Sequence, residues 1–271
     1  MYSRYDRSAL AFRRMSCELG FIAEAEGSSR FALGETLVIC AVYGPGQPKY
    51  FRHEDSEGLT IDVNYSTTLG SVTGATGTTD LSNLLQAENI MPSTEQQRVE
   101  RSGTRTVRAA LLQAVDRRVL PRLLLSVRIM IIHDDGASLS AAIIAASLAL
   151  INAGVPMLYV PVAATVAIVP QTPSNASVGV HEQVLDMYLD PNAEEEAVAK
   201  SIHCYIARCP FTHKPGQSIT QTVHSPQDEP VVLGGESVGK YKVDDMLAAQ
   251  QICLQGCTQI MRFVREAVAQ L

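Results

Sequence analysis

The sequence predicts an α+β fold of two βαβα-like units packed into one domain. Three observations predict it: short segments alternate between apolar and polar residues, longer segments repeat apolar residues with the helical period, and strands precede helices in both halves of the 271-residue chain. We expect the domain to span residues 1–271, with approximate halves 1–120 and 121–271. A loop-rich insertion is expected at about 210–239, with short β-like runs at 218–223 and 230–233.

Four strands are expected in the first half, because each candidate segment alternates in polarity and is bounded by glycine or by polar turn residues. They cover residues 12–19, 28–33, 36–43 and 59–65. The following segment, 67–83, is too rich in Gly, Thr and Ser to form regular structure.

A helix is predicted from about Glu95 to Asp116, because Ser93 or Thr94 can form a capping box with the glutamine three residues later. At about 100° per residue, its arginines fall on one face and its apolar residues on the opposite face. The basic face holds Arg98, Arg101, Arg105 and Arg108, and the apolar face holds Val107, Ala110, Leu111 and Ala114.

The segment from His133 to Met157 connects a strand, 123–132, to a helix through an acidic, glycine-containing turn. The strand places its apolar residues on one face, since side chains alternate along a strand. The helix begins at about Ser138 and is apolar on all sides until Asn152, which predicts that it is buried. The apolar face of the strand holds Leu125, Val127, Ile129 and Ile131.

The second half is expected to contain three more strands, 163–169, 184–189 and 201–207, and a C-terminal helix from Val243. Apolar residues recur every seven positions along this helix, which favours packing on a sheet. They are Leu247, Leu254, Met261 and Val268.

The low charged fraction is typical of a chain whose surface is partly covered by partners, or of one with an Ala-rich core. Charged residues make up 18%, against roughly 25% in an ordinary soluble domain. The formal net charge is −6, which disfavours tight autonomous binding to nucleic acid. Contact with a nucleic acid would therefore be local, or shared with other chains.

The six cysteines show no CxxC pair and no zinc-like spacing, which favours buried reduced thiols in a cytosolic or nuclear protein. We expect no signal peptide and no membrane span, because the N-terminus is polar and basic and no apolar run reaches about 18 residues. The sequence requires no cofactor and no metal.

Three segments resemble the ribonuclease PH family, the phosphorolytic exoribonucleases and their relatives in the RNA exosome ring. They occur in the family's order and spacing and are Gly27–Pro45 (GSSRFALGETLVICAVYGP), Arg105–Leu111 (RTVRAAL) and Asp135–Met157 (DGASLSAAIIAASLALINAGVPM). Tyr188–Ala197 and Ile260–Val268 resemble a non-catalytic exosome subunit. The resemblance implies a ribonuclease PH-type fold.

The resemblance also locates a degenerate phosphate site. In active members, phosphate is held by a GGTRT turn and by an arginine near the start of the preceding helix. Leu139 stands at the position of the turn's arginine and Glu95 at that of the helix arginine, so one provides no donor and the other repels phosphate. The resemblance therefore implies a chain that is not an enzyme. The matching turn is Gly136, Ala137, Ser138, Leu139 and Ser140, in which Ala137 replaces a glycine.

Two acidic residues of the site are retained in this comparison. Asp190 matches a family aspartate, and Glu196 stands where a second aspartate is expected. The alternative interpretation is structural: Asp190 and Pro191 end a strand, and Glu194–Glu196 is a solvated acidic run.

Three further roles of residues at the turn stay open: the helix N-cap, a general base and a magnesium site. Ser138 is expected as the helix N-cap, with Asp135 and Ser140 as alternatives. His133 could act as a general base, although a strand-end histidine is more often structural. A magnesium ion could be held by Asp134, Asp135 and Asp190, although nothing in the sequence requires it.

The function implied by the resemblance is that of a catalytically inactive structural subunit of the hexameric RNA exosome core. Such a subunit supports 3′-to-5′ RNA processing and degradation by ring assembly and by contacts in the RNA channel. The implied partners are homologous exosome subunits, exosome cap proteins and RNA through the assembled complex, with no membrane. The implied location is the nucleus, including the nucleolus, and the cytoplasm.

The candidate RNA-binding residues are basic side chains on the predicted helix and in a loop that also carries an aromatic pair, Tyr50 and Phe51. The alternatives are a solvated face, or pairing with acidic residues of a neighbouring subunit. The candidates are Lys49, Arg52, Arg98, Arg101, Arg105 and Arg108.

Two other functions remain open. One is an active phosphate-dependent 3′-to-5′ exoribonuclease, in which Arg98 or Arg101 supplies the missing charge. The other is a small-molecule kinase, because GASLSAA faintly resembles a glycine- and serine-containing ATP loop.

Overall fold

The computed structural model describes residues 7–47, 58–67, 94–170, 185–209 and 230–269. Several predicted features lie outside these ranges: Lys49 and Arg52, the cap residue Ser93, and the β-like run at 218–223. The side chains of residues 94–96 also lie outside the description, so Glu95 is placed by its backbone alone.

The first sheet has five strands, and its centre is antiparallel. The exception is the pair of β4 and β5, which run parallel because helix α1 crosses between them. The spatial order is β1-β2-β3-β5-β4. These elements are β1 (Met15–Leu19), β2 (Gly27–Leu33), β3 (Thr36–Gly46), β4 (Thr60–Thr67), α1 (Thr94–Ala114) and β5 (Leu124–His133).

The second sheet has four strands, all antiparallel, in the order β7-β6-β8-β9. One helix follows β5 and leads into this sheet, a short helix lies between β7 and β8, and a long helix packs on β6 and β8. The elements are α2 (Ser138–Asn152), β6 (Val160–Pro170), β7 (Leu185–Leu189), α3 (Ala193–Val198), β8 (Ser201–Cys209), β9 (Val231–Gly239) and α4 (Val243–Val268).

Helix α2 forms the centre of the core, because it packs on β2 and β3 of the first sheet and on β6 of the second. Every residue from Ser140 to Leu150 is buried, which confirms the predicted buried helix. The approach of β2 is close: a Cβ on Gly27 would lie 2.4 Å from the carbonyl oxygen of Ala149. Only glycine allows this contact.

The predicted faces of β5 and α1 are also confirmed. The predicted apolar face of β5 is fully buried, while Arg128 and Met130 on its other face are exposed. On α1 all four arginines of the basic face are exposed and the opposite apolar residues are buried. The α+β fold class is therefore confirmed.

Several details differ from the prediction. β5 belongs to the first sheet, so residue 120 does not mark the boundary between the two sheets. The β-like run expected at 230–233 extends into a strand, 231–239. The acidic run Glu194–Glu196 lies in a short helix, 193–198. On α4, Leu247 is 49% exposed, whereas Met261 of the same predicted stripe is buried. The buried face of α4 is Ala249, Cys253, Gly256, Cys257, Ile260, Met261 and Val264.

Free thiols were predicted, and the described part of the chain contains five: Cys17 is partly buried, and Cys40, Cys204, Cys253 and Cys257 are buried. Burial raises the pKa of Cys204 to about 12, so this thiol is inert at neutral pH. Within the described helices, none combines the length and the apolar composition that crossing a membrane requires.

Candidate phosphate site

The predicted site lies in the turn between β5 and α2, Asp134–Ala137, which we call the acidic turn. Gly136 and Ala137 both have left-handed backbone conformations, with φ of 83° and 55°. A Cβ on Gly136 would lie 2.6 Å from the carbonyl oxygen of Pro191, so only glycine fits there. Ala137 keeps a conformation that costs a side-chain-bearing residue about 1–2 kcal/mol.

The backbone N–H groups of the acidic turn, which could cradle an anion, already have partners. Asp135 N–H donates to Thr36 Oγ1 at 3.1 Å, and Gly136 N–H donates to Asp134 Oδ1 at 3.1 Å. Ala137 N–H donates to Glu196 Oε1 at 2.8 Å. The chain's own oxygens therefore occupy these three donors at the start of α2, where an external anion would otherwise bind.

Glu196 is positioned by α3, which begins with a capping box between Asn192 and Glu195. Burial raises the pKa of Glu196 to about 7; the Ala137 N–H and Arg13 oppose this rise, while the charges of Asp134 and Asp190 add to it. The carboxylate is thus close to half-protonated at neutral pH. Glu196 does stand at the turn, as the sequence predicted, but it contacts a backbone donor instead of serving as a free acid.

Asp190 is held in a buried ion cluster. It is 1% exposed, has φ of 53°, and accepts hydrogen bonds from Arg13 N at 2.8 Å and from Arg13 Nη2 at 2.8 Å. Arg7 Nη1 reaches the same carboxylate at 3.3 Å. Both carboxylate oxygens are therefore engaged, and Asp190 joins the turn after β7 to the N-terminal segment.

Arg13 connects the two turns. Its Nη1 donates to the backbone oxygen of Asp135 at 2.5 Å and to Asp135 Oδ2 at 3.0 Å. Its Nη2 donates to Gly136 O at 3.0 Å and to Asp190 Oδ1, and its Nε donates to Asp190 Oδ2 at 3.1 Å. A guanidinium has five N–H donors, and these five contacts account for all of them.

The pKa of Arg13 reflects this cluster. Burial alone would lower it, but the hydrogen bonds and charges of Asp190 and Asp135 outweigh burial and raise it. Sequence reasoning missed Arg13 and Arg7, because their partners lie more than 120 residues away along the chain. The only local signal was the basic character of the N-terminal segment.

Two residues of the predicted degenerate phosphate site, Ser138 and Leu139, contact other parts of the fold. Leu139 is partly buried and packs against the core. Ser138 is the first residue of α2 and hydrogen-bonds the hydroxyl of buried Tyr65, whose pKa is raised chiefly by burial. The predicted N-cap was therefore wrong: Ala137 occupies that position without a side-chain cap bond, and Ser140 Oγ donates to its carbonyl at 2.8 Å.

The catalytic and metal alternatives gain no support at this turn. His133 is exposed, and its Nδ1 lies 2.9 Å from the carbonyl oxygen of Glu35. Asp135 and Asp190, two of the three carboxylates considered for magnesium, both pair with Arg13. In the part of the chain that the structure describes, no group of three or more His, Cys, Asp or Glu side chains is placed to hold a metal.

The candidate RNA-binding arginines are not part of this turn. Arg98, Arg101, Arg105 and Arg108 lie on the exposed face of α1, and among the described residues no hydrogen bond or ion pair joins them to the acidic turn. The nearby Glu100 accepts from Thr67 N–H at 3.1 Å.

Comparison with known proteins finds relatives that are named as exosome proteins. The chain is 28% identical over 200 residues to the exosome complex exonuclease RRP46 homolog of Oryza sativa subsp. japonica, covering 73% of this chain and 68% of that protein. It is 29% identical over 153 residues to exosome complex component Rrp41 of Thermococcus gammatolerans, covering 56% of this chain and 54% of the relative. The match thus spans about half the length of this archaeal relative.

Solved structures share the fold over nearly the whole chain. The crystal structure of rice (Oryza sativa) Rrp46 matches with a TM-score of 0.70 at 23% identity, covering 97% of this chain and 98% of that one. An archaeal exosome core matches with a TM-score of 0.63 at 19% identity, covering 96% and 89%. The model of the RNase PH, 3′ exoribonuclease family, domain 1, matches residues 11–156. The chain therefore belongs to the 3′ exoribonuclease (RNase PH) family.

Proposed function

We propose that this chain is a non-catalytic subunit of an exosome-type ring, which supports 3′-to-5′ RNA processing by assembling with homologous chains. Its relatives are named as exosome components, and its fold resembles exosome subunits over almost its full length. The segments Tyr188–Ala197 and Ile260–Val268 resemble the non-catalytic subunit known as exosome component five.

One observation carries the non-catalytic part of the proposal. Three backbone N–H groups of the acidic turn and all five guanidinium donors of Arg13 bond to the chain's own oxygens. Phosphorolysis brings phosphate next to the terminal phosphodiester of RNA, and two anions need surrounding cationic donors. Leu139 stands at the turn where the resemblance places an arginine, so residues 136–140 carry no cationic side chain.

The alternative function is an active phosphate-dependent exoribonuclease, and the name of the rice relative includes the word exonuclease. An experiment separates the two. Purified chain is mixed with single-stranded RNA and inorganic phosphate, and nucleoside diphosphates are measured. We expect none above the level of a no-protein control, whereas turnover that requires phosphate would establish the alternative.

Assembly is supported by β9, an edge strand of the second sheet as far as the structure describes it. In the described ranges no strand pairs with the outer side of β9, which also exposes 47% of Val231 and 60% of Val238. An edge strand with exposed apolar side chains can pair with another chain. Homologous subunits and exosome cap proteins are the partners that we propose.

Assembly is tested by purifying the tagged chain from its native source and identifying what accompanies it. Homologous chains of this family are expected in a stable ratio. Recovery of a monomer at every concentration would contradict ring assembly. As a matched pair, Val238→Lys should weaken the association, whereas Val99→Lys, a similarly exposed valine on α1, should not.

A further inference from the structure

We propose that a groove beside the connection between α1 and β5 docks a partner protein through a segment in which acidic residues flank an apolar side chain. The groove has a volume of about 520 Å³. None of its described lining residues belongs to β9, so the proposal goes beyond ring assembly through that strand. The lining includes Leu112, Val115, Asp116, Arg117, Arg118 and Leu158.

One part of the lining is fixed by backbone hydrogen bonds between two connections of the fold. Leu158 N–H donates to Ala114 O at 2.7 Å, and Asp116 N–H donates to Pro156 O at 3.0 Å. These bonds join the end of α1 to the segment that leads into β6. This part of the groove is therefore formed before a partner arrives, and binding does not have to order it.

Another part of the lining is fixed to the residue before β4. Leu59 N–H donates to Arg117 O at 3.0 Å, and Arg117 Nε donates to Leu59 O at 2.9 Å. Leu59 is buried, so it anchors Arg117 to the core. Arg117 therefore shapes the groove, and the proposal assigns the contact with a partner to the side chains around it.

The groove exposes apolar side chains. Leu158 is 65% exposed in the lining, where Leu112 is only partly buried. Val119, in the same connection, is 56% exposed. Single exposed apolar residues are normal on a protein surface, but Leu158 and Leu112 line a concave feature between fixed segments. A partner side chain that enters the groove removes apolar area from water, which favours binding.

The connection that forms the groove is basic. Residues 115–123 contain three arginines and one aspartate, on a chain whose formal net charge is −6. Arg118 and Arg122 are exposed, and neither guanidinium forms a hydrogen bond or an ion pair within the described ranges. The aspartate, Asp116, is engaged by the backbone, since its Oδ1 accepts from Arg118 N–H at 3.3 Å. Acidic groups on a partner would complement this local charge.

Charge and apolar area together select the kind of partner. The phosphates of a nucleic acid would satisfy the arginines but would leave Leu158 and Val119 in water. Carboxylates pair with guanidiniums through charge-assisted hydrogen bonds, and an apolar side chain between the carboxylates would cover Leu158. An acidic protein segment with an apolar residue therefore fits the groove better than RNA does.

The test selects random twelve-residue peptides displayed on phage against the immobilised full chain. An enriched peptide is then synthesised with a fluorescent label, and its affinity is measured by anisotropy over a range of salt concentrations. We expect the enriched peptides to place Leu, Ile, Met or Phe next to at least two Asp or Glu residues.

Two variants remove the groups assigned to the contact, Leu158→Gln and Arg118→Gln. Their controls are Val243→Gln and Arg262→Gln, because Val243 is 67% exposed on α4 and Arg262 is exposed on the same helix. Leu158→Gln should weaken binding about tenfold through lost apolar burial. Arg118→Gln should weaken it about threefold to fivefold at low salt, and this difference should shrink as salt is added.

The controls should bind the peptide like the wild type, and thermal melting compares the stability of all four variants. Equal weakening by the variants and the controls would overturn the proposal. So would enriched peptides that lack the acidic and apolar pattern, or no enrichment over a surface without the chain. Binding of a fluorescent oligouridylate that Arg118→Gln weakens, without enrichment of any peptide, would assign the groove to nucleic acid and would also overturn it.

Two occupants from this chain itself are outcomes of the same test. Glu54, Asp55 and Glu57 precede Gly58 and lie outside the described residues. Peptides enriched only after these three acids are changed to glutamine would show that the chain's own acidic segment fills the groove, which would overturn the proposal. Self-association of the wild type that Leu158→Gln abolishes would identify a second copy as the occupant, with the same consequence.

The outcome is separable from that of the proposed function. Peptide binding by a chain that never assembles with homologous chains would contradict the ring proposal and leave the groove in place. Normal assembly without peptide binding at the groove would contradict the groove alone.

Discussion

The acidic turn and the basic face of α1 both contain several charged side chains, but these side chains have different partners. At the turn, Arg13 lies among Asp135, Asp190 and backbone oxygens, and its donors are fully used. On the basic face, the arginine side chains are exposed, and none forms a hydrogen bond or an ion pair with another described residue. The difference shows that cationic residues near a family's catalytic position can serve the fold, while those available to a ligand lie elsewhere on the surface.

The largest expected effect is that of removing Arg13. Arg13→Met keeps most of the side-chain volume but leaves Asp190 and Asp135 without their cation. Breaking a buried ion pair from one side costs about 3–5 kcal/mol, so we expect a loss of that size in the free energy of unfolding. Urea denaturation measures it.

The neighbouring Arg14 gives the matched control, because its side chain is exposed. Arg14→Met should change the unfolding free energy by less than about 0.5 kcal/mol. A similarly small effect of Arg13→Met would show that the cluster does not hold the two turns together.

The second prediction concerns pH and Glu196. Its pKa in the folded chain, about 7, lies above the ordinary value of 4.5, so the folded state binds more protons between these values. Stability due to this group is therefore fully present below about pH 4.5 and is lost as pH rises through 7. Glu196→Gln keeps the acceptor for Ala137 N–H and removes the titration.

We expect the stability advantage of Glu196→Gln over the wild type to grow by on the order of 2 kcal/mol between pH 5 and 8, a value reduced for partial exposure of the side chain. Urea denaturation across this range measures it. Glu194→Gln is the control, since Glu194 is exposed. An advantage that is constant with pH would show that Glu196 titrates normally.

The smallest expected effect is that of Ala137→Gly. Relief of the left-handed strain gains about 1–2 kcal/mol, and the greater freedom of glycine in the unfolded chain offsets about 0.5–1 kcal/mol. We expect a net stabilisation of about 0.5–1 kcal/mol by thermal or urea unfolding. In contrast, Ala141→Gly inside α2 should destabilise, because Ala141 is buried in a right-handed helix. Destabilisation by Ala137→Gly would show that its methyl group packs usefully.

Periodicity predicted the elements whose burial follows a regular repeat. The alternation in β5 and the apolar surface of α2 encode which faces meet the core, so both were recognised. The exposed arginine face of α1 was recognised for the same reason.

The missed elements depend on contacts that have no repeat. Only the start of β9, residues 230–233, was recognised as β-like, because the strand continues through Gly234, Gly235 and Gly239. A Cβ on Gly235 would lie 2.6 Å from the carbonyl oxygen of Cys204, so glycine permits the close pairing with β8. The helix α3 is six residues long and was hidden in an acidic run, although its capping residues Asn192 and Glu195 are readable. Arg13 meets Asp190 across 177 positions, which no local pattern reports.

Whether the acidic turn binds phosphate is tested most directly by adding phosphate and following the backbone amide of Ala137 by NMR. Its N–H donates to Glu196 Oε1 at 2.8 Å, so we predict no saturable shift of this amide as phosphate is added. A shift of the Ala137 amide that saturates with phosphate, in the wild-type chain, would contradict the claim that the chain's own carboxylate already occupies this donor.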